Sequence, residues 1–128
     1  MRGRVQALPA NGFPTKVVGT TFCDEDAIDA SLLDAGVLLL RDYENGHDEY
    51  AIVVLRADDG TRIGYISRLY SIHLAPFAEY QGLSAIVLDV TGGVPGKENK
   101  GVNIYVYEDD GAVLPSKAYM LGAGRRAS

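Results

Sequence analysis

Residues 36–66 hold three strand-length runs in direct succession, GVLLLRDY, YAIVVLRA and TRIGYI, joined by one polar loop and one Asp-Asp-Gly turn at 58–60. Such tight connections between apolar runs predict an antiparallel meander. Ahead of it, TKVVGTTF (Thr15 to Phe22) is rich in β-branched residues and reads as a first strand with Gly19 as a bulge. Behind it lie LSAIVLDVTGG and GVNIYVYEDDG, the second with strict alternation: Val102, Ile104 and Val106 on one face, Asn103, Tyr105 and Tyr107 on the other. Five or six short strands predict a small, partly closed β-barrel or a strongly bent sheet, because closure removes exposed strand edges.

The helical signals are fewer. Asp26 to Leu33 has a short helix-like spacing that Asp24 or Asp26 could cap. Ser67 is positioned to cap RLYSIHLAPFAEY, in which Leu69, Ile72, Ala75 and Ala78 recur at three-residue steps. Pro76 is expected to split that segment into two short helices between the fourth and fifth strands, since proline belongs in a first turn. The segment SKAYMLGAGRRAS is expected to be loose beyond about Leu121.

A chain of 128 residues, 47% hydrophobic and 23% charged, fits one globular domain. The reading divides it into an N-terminal extension at 1–15, a domain at 16–115 and a tail at 116–128. No apolar run approaches the length of a membrane span, and no signal-peptide core precedes the first strand, so a cytoplasmic protein is expected. The lone cysteine, Cys23, cannot form an internal disulfide and reads as a small buried hydrophobe within a strand. A net charge of −5 argues against broad electrostatic binding to nucleic acid, so any such contact must be small and specific. The acidic stretches at 24–34 and 108–110 read as solvated faces or turns.

No catalytic motif survives inspection. GGVPGKEN at 92–99 has three residues where a phosphate loop needs four between its glycine and Gly-Lys, and Glu98 stands where that loop has Ser or Thr. His47 has acids beside it but no adjacent nucleophile. Glu44, Asn45 and Asp48 do not match a calcium loop. The sequence therefore predicts a protein that is not an enzyme, with no cofactor and no metal.

What stands out is the loop itself, where Asp42, Glu44, Asn45, His47, Asp48 and Glu49 crowd a connection that needs little more than a turn pair. An ionised aspartate accepts hydrogen bonds and cannot donate, so it suits a hydroxyl donor and repels a phosphate. The competing reading is that Asn45 and Asp48 form Asx-turns that only shape the loop. Arg41 and Asp42 have their own local reading as a turn or cross-strand ion pair. Tyr65 and Phe22 could equally be partly buried barrel aromatics.

In order, VVGTTF at 17–22, LLLRDYENGHDEYAIVVL at 38–55, IGYISR at 63–68 and LAPF at 74–77 resemble the HIRAN domain over about residues 16–91. That family has a Val-Gly strand ending in an aromatic, then Arg-x-x-x-Asn-x-x-Asp-x-x-Ala-Ile, then Gly-Tyr or Gly-His followed by a basic residue. The resemblance implies a mainly β (α+β) fold, a small OB-like partly closed β-barrel of about six strands, that binds the 3′-hydroxyl end of single-stranded DNA. It implies that Asn45 and Asp48 hold the terminal hydroxyl, with His47 beside them where a well-known member has tyrosine. Tyr65 matches the aromatic or histidine after the glycine. Arg68 matches the basic residue that meets a backbone phosphate, and Phe22 the first of two stacking aromatics. Two positions depart from the pattern: Thr21 stands in place of an arginine and Cys23 in place of the second aromatic.

The resulting expectation is a non-enzymatic module that recognises a single-stranded DNA 3′ end in repair or replication-fork processing, acting with a helicase or nuclease in trans. The rival is a protein-interaction barrel whose groove or exposed edge holds a peptide or partner protein and not DNA.

Overall fold

The structure, a computed structural model, describes residues 8–9, 11–20, 27–80 and 82–122, and the backbone alone of 123–125. Thr21, Phe22 and Cys23, and the candidate caps Asp24 and Asp26, lie outside the described residues.

Six strands, β1 (Phe13–Lys16), β2 (Gly36–Arg41), β3 (Ile52–Arg56), β4 (Arg62–Tyr65), β5 (Leu83–Thr91) and β6 (Gly101–Glu108), form one antiparallel sheet in the order β1-β6-β5-β2-β3-β4. The meander expected from residues 36–66 is β2-β3-β4. Alternation places Val102, Ile104 and Val106 of β6 in the core, and Leu83, Ala85 and Val87 of β5 do the same. Two register shifts, at Val54/Leu55 of β3 and Val87/Asp89 of β5, add twist where the sheet must curl.

The curled sheet forms a half-barrel whose seam is made by two adjacent residues. The Val17 N–H donates to the Val102 carbonyl at 2.9 Å, while Val18 exchanges bonds of 2.9 and 2.8 Å with Tyr65 of β4. The chain leaving β1 therefore pairs with β6 on one side and with the β4 edge on the other. Gly64 makes the approach possible, since a Cβ there would lie 2.5 Å from Val17 Cγ1 and 2.6 Å from the Val18 carbonyl oxygen. The first strand is accordingly shorter than Thr15 to Phe22 and starts earlier, at Phe13, inside the stretch read as an extension. Pairing with β6 ends where the chain crosses to β4, and this crossing, at Val17 and Val18, truncates it.

Helix α1 (Arg68–Tyr80) is one helix, not two, with Pro76 in its interior. Proline removes the bond to the carbonyl four residues back, and here that residue, Ile72, is half exposed, so water can take the orphaned acceptor. Ser67 caps the start, its Oγ accepting from the Leu69 N–H at 3.2 Å. The buried face is Tyr70, Ser71, Leu74 and Ala75, a 3.6-residue pattern, whereas the three-residue series fails: Leu69 and Ile72 are 60% and 51% exposed. Tyr70 meets Phe13 of β1 edge-on with ring centroids 5.4 Å apart.

Beyond Leu121, where the chain is expected to be loose, the described residues continue a helix as far as Arg125. Helix α2 (Lys117–Arg125) begins at Ser116, whose Oγ accepts from the Tyr119 N–H at 3.1 Å, and buries Met120 in the core. Among the described residues of 26–33 the expected short helix is 3₁₀ and not α: Ala27 is in 3₁₀ conformation, and a 3₁₀ turn at Ala30–Leu32 is capped by Asp29, whose Oδ1 accepts from the Ser31 N–H at 2.9 Å. One acid of the 108–110 run is also not solvated: Glu108 is buried, and its Oε1 accepts from the backbone N–H groups of Asp110 and Ala112. No helix among the described residues is long and apolar enough to cross a membrane.

Candidate functional site

The loop between β2 and β3 is built by its own acidic and amide side chains. Asp42 Oδ1 accepts from the Glu44 N–H at 3.2 Å. Asn45 Oδ1 accepts two backbone N–H groups, those of His47 at 2.8 Å and Asp48 at 3.0 Å. Asp48 Oδ1 accepts from the Tyr50 N–H at 2.9 Å. These are Asx-type turns, so the local reading of the crowding is realised. It does not exhaust these side chains, however.

Because two N–H donors hold Asn45 Oδ1 inward, the amide orientation is determined and Nδ2 has no hydrogen-bond partner among the described residues. Asp48 is fixed at its other oxygen by α1, where the Ser71 hydroxyl donates to Oδ2 at 2.9 Å. Each carboxylate oxygen retains a second lone pair. Asn45 and Asp48 thus offer an unused donor and unused acceptors side by side. They line an open cleft of about 400 Å³ together with His47, Tyr50, Arg68 and Ile72. Arg68, the first residue of α1, has no ion-pair partner among the described residues and supplies the cleft's cation.

The structure brings together Asn45, His47, Asp48 and Arg68. Tyr65 does not line this cleft. It sits half-buried at the seam, and its hydroxyl donates to Asp42 Oδ2 at 3.2 Å, at the base of the same loop. Thr21 and Phe22 lie outside the described residues, one step beyond Thr20.

Tyr50 and Ile72 line the cleft although the sequence did not single them out. Tyr50 stands at a position the motif leaves unspecified, between Asp48 and Ala51, and Ile72 enters the sequence reading only as one member of a three-residue helical series. Ser71 carried no signal at all, since only the tertiary approach of α1 to the loop gives its hydroxyl a partner.

The expected Arg41–Asp42 pair does not form. Arg41 reaches α1 instead, with Nη1 2.6 Å from Glu79 Oε1 and Nη2 donating to the Glu49 carbonyl at 2.6 Å. Its guanidinium also stacks 4.6 Å from the Tyr43 ring centroid. The Tyr43 hydroxyl donates to Glu79 Oε1 at 3.0 Å, and that bond holds its ionisation above the ordinary phenol range. Arg41 at the end of β2 and Tyr43 of the loop therefore meet α1 at Glu79, and Asp48 of the loop meets it separately at Ser71. Among the described residues no cluster of three His, Cys, Asp or Glu is arranged to hold a metal ion.

No model of a known protein family matches the sequence, and no curated protein matches it. Solved structures do. The chain is similar to a protein from Lactobacillus plantarum with 25% identity and a TM-score of 0.59, over 75% of this chain and 90% of that one. It is also similar to the HIRAN domain of human HLTF with 18% identity and a TM-score of 0.56, over 88% of each chain. The fold is that of the HIRAN domain.

Proposed function

We propose that this chain is a non-enzymatic binding module whose β2–β3 loop takes the 3′-hydroxyl end of single-stranded DNA. The observation that carries the reading is the pairing of an unused Asn45 Nδ2 donor with unused Asp48 acceptors in one cleft. A hydroxyl donates one hydrogen and accepts another, so it complements this pair, whereas a terminal phosphate offers only acceptors and negative charge to a carboxylate. Arg68 stands at the cleft to meet the adjoining backbone phosphate, and Tyr50 offers a face on which a base can stack. The resemblance in sequence and the shared fold point the same way.

One or two stacked bases at about 1–3 kcal/mol each, together with charge-assisted hydrogen bonds at about 1.5–3 kcal/mol each, offset association entropy to leave roughly micromolar affinity. The reading places the module in a process such as repair or fork processing, alongside a helicase or nuclease acting in trans. The test is fluorescence anisotropy with one short strand carrying either a 3′-hydroxyl or a 3′-phosphate. The hydroxyl end should bind more tightly. Equal binding, or none up to roughly 100 µM protein, would count against the reading.

A second reading has an observation of its own. Leu69 and Ile72 are exposed on α1 beside the cleft, an apolar surface that suits a peptide better than a phosphate backbone. Under that reading the barrel holds a partner protein, and substitution of Leu69 and Ile72 leaves DNA binding absent or unchanged.

A further inference from the structure

Three of the chain's four lysines, Lys16, Lys97 and Lys100, line one cleft of about 490 Å³ in a protein of net charge −5. The cleft lies between the end of β1, Thr20 just past the seam, the end of β5 and the β5–β6 loop. Two of its walls are pinned. The Thr20 hydroxyl donates to the Lys100 carbonyl at 3.1 Å, and Lys100 Nζ donates to the Ile28 carbonyl at 3.1 Å. The floor is close-packed, since a Cβ on Gly101 would lie 2.7 Å from Thr91 Oγ1. One carboxylate, Glu98, opposes the lysines, and its Oε2 is already engaged by the Gly96 N–H at 3.1 Å. Lys16 and Lys97 have no ion-pair partner among the described residues.

A chain of contacts through the seam connects this cleft to the acidic loop. Thr20 is two residues from Val18, Val18 pairs with Tyr65, and Tyr65 bonds to Asp42 at the base of the acidic loop. We infer that the lysine cleft is a phosphate site that holds the backbone of the same single strand inward of its 3′ end. The inference rests on the reading of the acidic loop as the end-binding site, and it adds the direction in which the strand leaves. A chain that repels polyanions overall has concentrated its lysines where a strand crossing the seam from the loop would arrive.

The experiment compares wild-type protein with Lys16→Gln/Lys97→Gln and with Glu98→Gln, by anisotropy over a series of salt concentrations. The probes are a dinucleotide and a strand of about ten nucleotides, within the range of sites on related barrels, each with a 3′-hydroxyl or a 3′-phosphate. Lys100 is left intact because its ammonium supports the fold. The double lysine variant should bind the longer strand several-fold more weakly, with a salt slope shallower by about 1.4, two phosphates at about 0.7 each. It should leave dinucleotide binding and the preference for a hydroxyl end unchanged. Glu98→Gln removes a like charge while keeping an acceptor for Gly96, so it should tighten the longer strand by roughly twofold, a gain that misfolding cannot imitate.

If the lysine variant keeps wild-type affinity and slope on the longer strand, the phosphate site is wrong even when the end preference stands. If the longer strand shows no end preference but weakens with the lysine changes and tightens with Glu98→Gln, the phosphate site stands and the end-binding reading falls. If wild-type protein binds neither probe, both are wrong.

Discussion

The Ser71 hydroxyl donates to Asp48 Oδ2 at 2.9 Å, and with that bond a buried residue of α1 orients the carboxylate of an exposed loop. Asp48 is thereby held between two donors, the Tyr50 N–H on one oxygen and Ser71 on the other. A carboxylate oriented in this way suits a ligand that must be read by geometry, and the arrangement separates structure from recognition in a way substitutions can test.

Asp48→Asn keeps an oxygen for the Tyr50 N–H and removes the charge, so it should change stability by no more than about 1 kcal/mol. It should nevertheless narrow the gap in affinity between hydroxyl-ended and phosphate-ended strands. Asp48→Ala removes both bonds and should cost about 1–3 kcal/mol as well. Urea unfolding beside anisotropy reads both quantities. If Asp48→Asn leaves the end preference untouched, Asp48 is a turn former only.

Arg68→Ala tests the cation. Arg68 is exposed at the first residue of α1, so its loss should shift stability by less than about 0.5 kcal/mol. It should weaken both end types equally and flatten the salt slope by about 0.7, one phosphate's worth for a single strand. A change in the ratio between the two ends would instead place Arg68 at the terminal group.

Much of this molecule was legible because alternation reports burial directly. Val102, Ile104 and Val106 could point only one way, and the β2-β3-β4 meander followed from short connections between apolar runs. The failures share a cause, in that each depends on a partner distant in sequence. Arg41 pairs with Glu79 rather than its neighbour Asp42, Ser71 finds Asp48, and α2 is ordered by burying Met120. Ile72 misled because a three-residue series drifts around a helix of 3.6 residues per turn and so crosses from the core face to the cleft. The motif at 41–52 pointed to the loop, but the free amide of Asn45 became visible only once two N–H donors were seen to occupy its oxygen.

The seam yields a prediction about stability alone. At Gly64 a methyl group would meet Val17 Cγ1 at 2.5 Å and the Val18 carbonyl oxygen at 2.6 Å, and the second of these is backbone that cannot move without breaking the bridge to Tyr65. Gly64→Ala should destabilise by about 1–3 kcal/mol, as overpacking does, and should lower the urea midpoint with little change in slope. Gly46, where nothing lies within 4 Å of an added Cβ, is the control, and Gly46→Ala should be nearly neutral. Equal effects at the two positions would mean that the seam does not close as described.

The acid limb of stability should carry the signature of one ion pair, between the largely buried Arg56 and the exposed Asp58. Arg56 meets Asp58 with two bonds, Nε to Oδ1 at 2.9 Å and Nη2 to Oδ2 at 2.8 Å. Those hydrogen bonds outweigh desolvation and, with a lesser contribution from the guanidinium charge, lower the Asp58 carboxyl from 3.8 to about 2. Asp29, on the far side of the same guanidinium, is also lowered, chiefly by the Ser31 hydroxyl. A carboxyl depressed in the folded state contributes stability that is present in full above its unfolded value and lost as pH falls through its folded value. The contribution of Asp58 should therefore be complete above about pH 5 and fade between about pH 4 and pH 2. Asp58→Asn should lower the urea midpoint at neutral pH by a small amount, because the Asp58 carboxylate itself is exposed and screened by water, and the two proteins should converge as pH falls through that window. Asp29 keeps some acid sensitivity in the variant, so the limb should become shallower without vanishing. Midpoints that run parallel from pH 5 down to pH 2 would show that the Arg56–Asp58 pair is absent in solution.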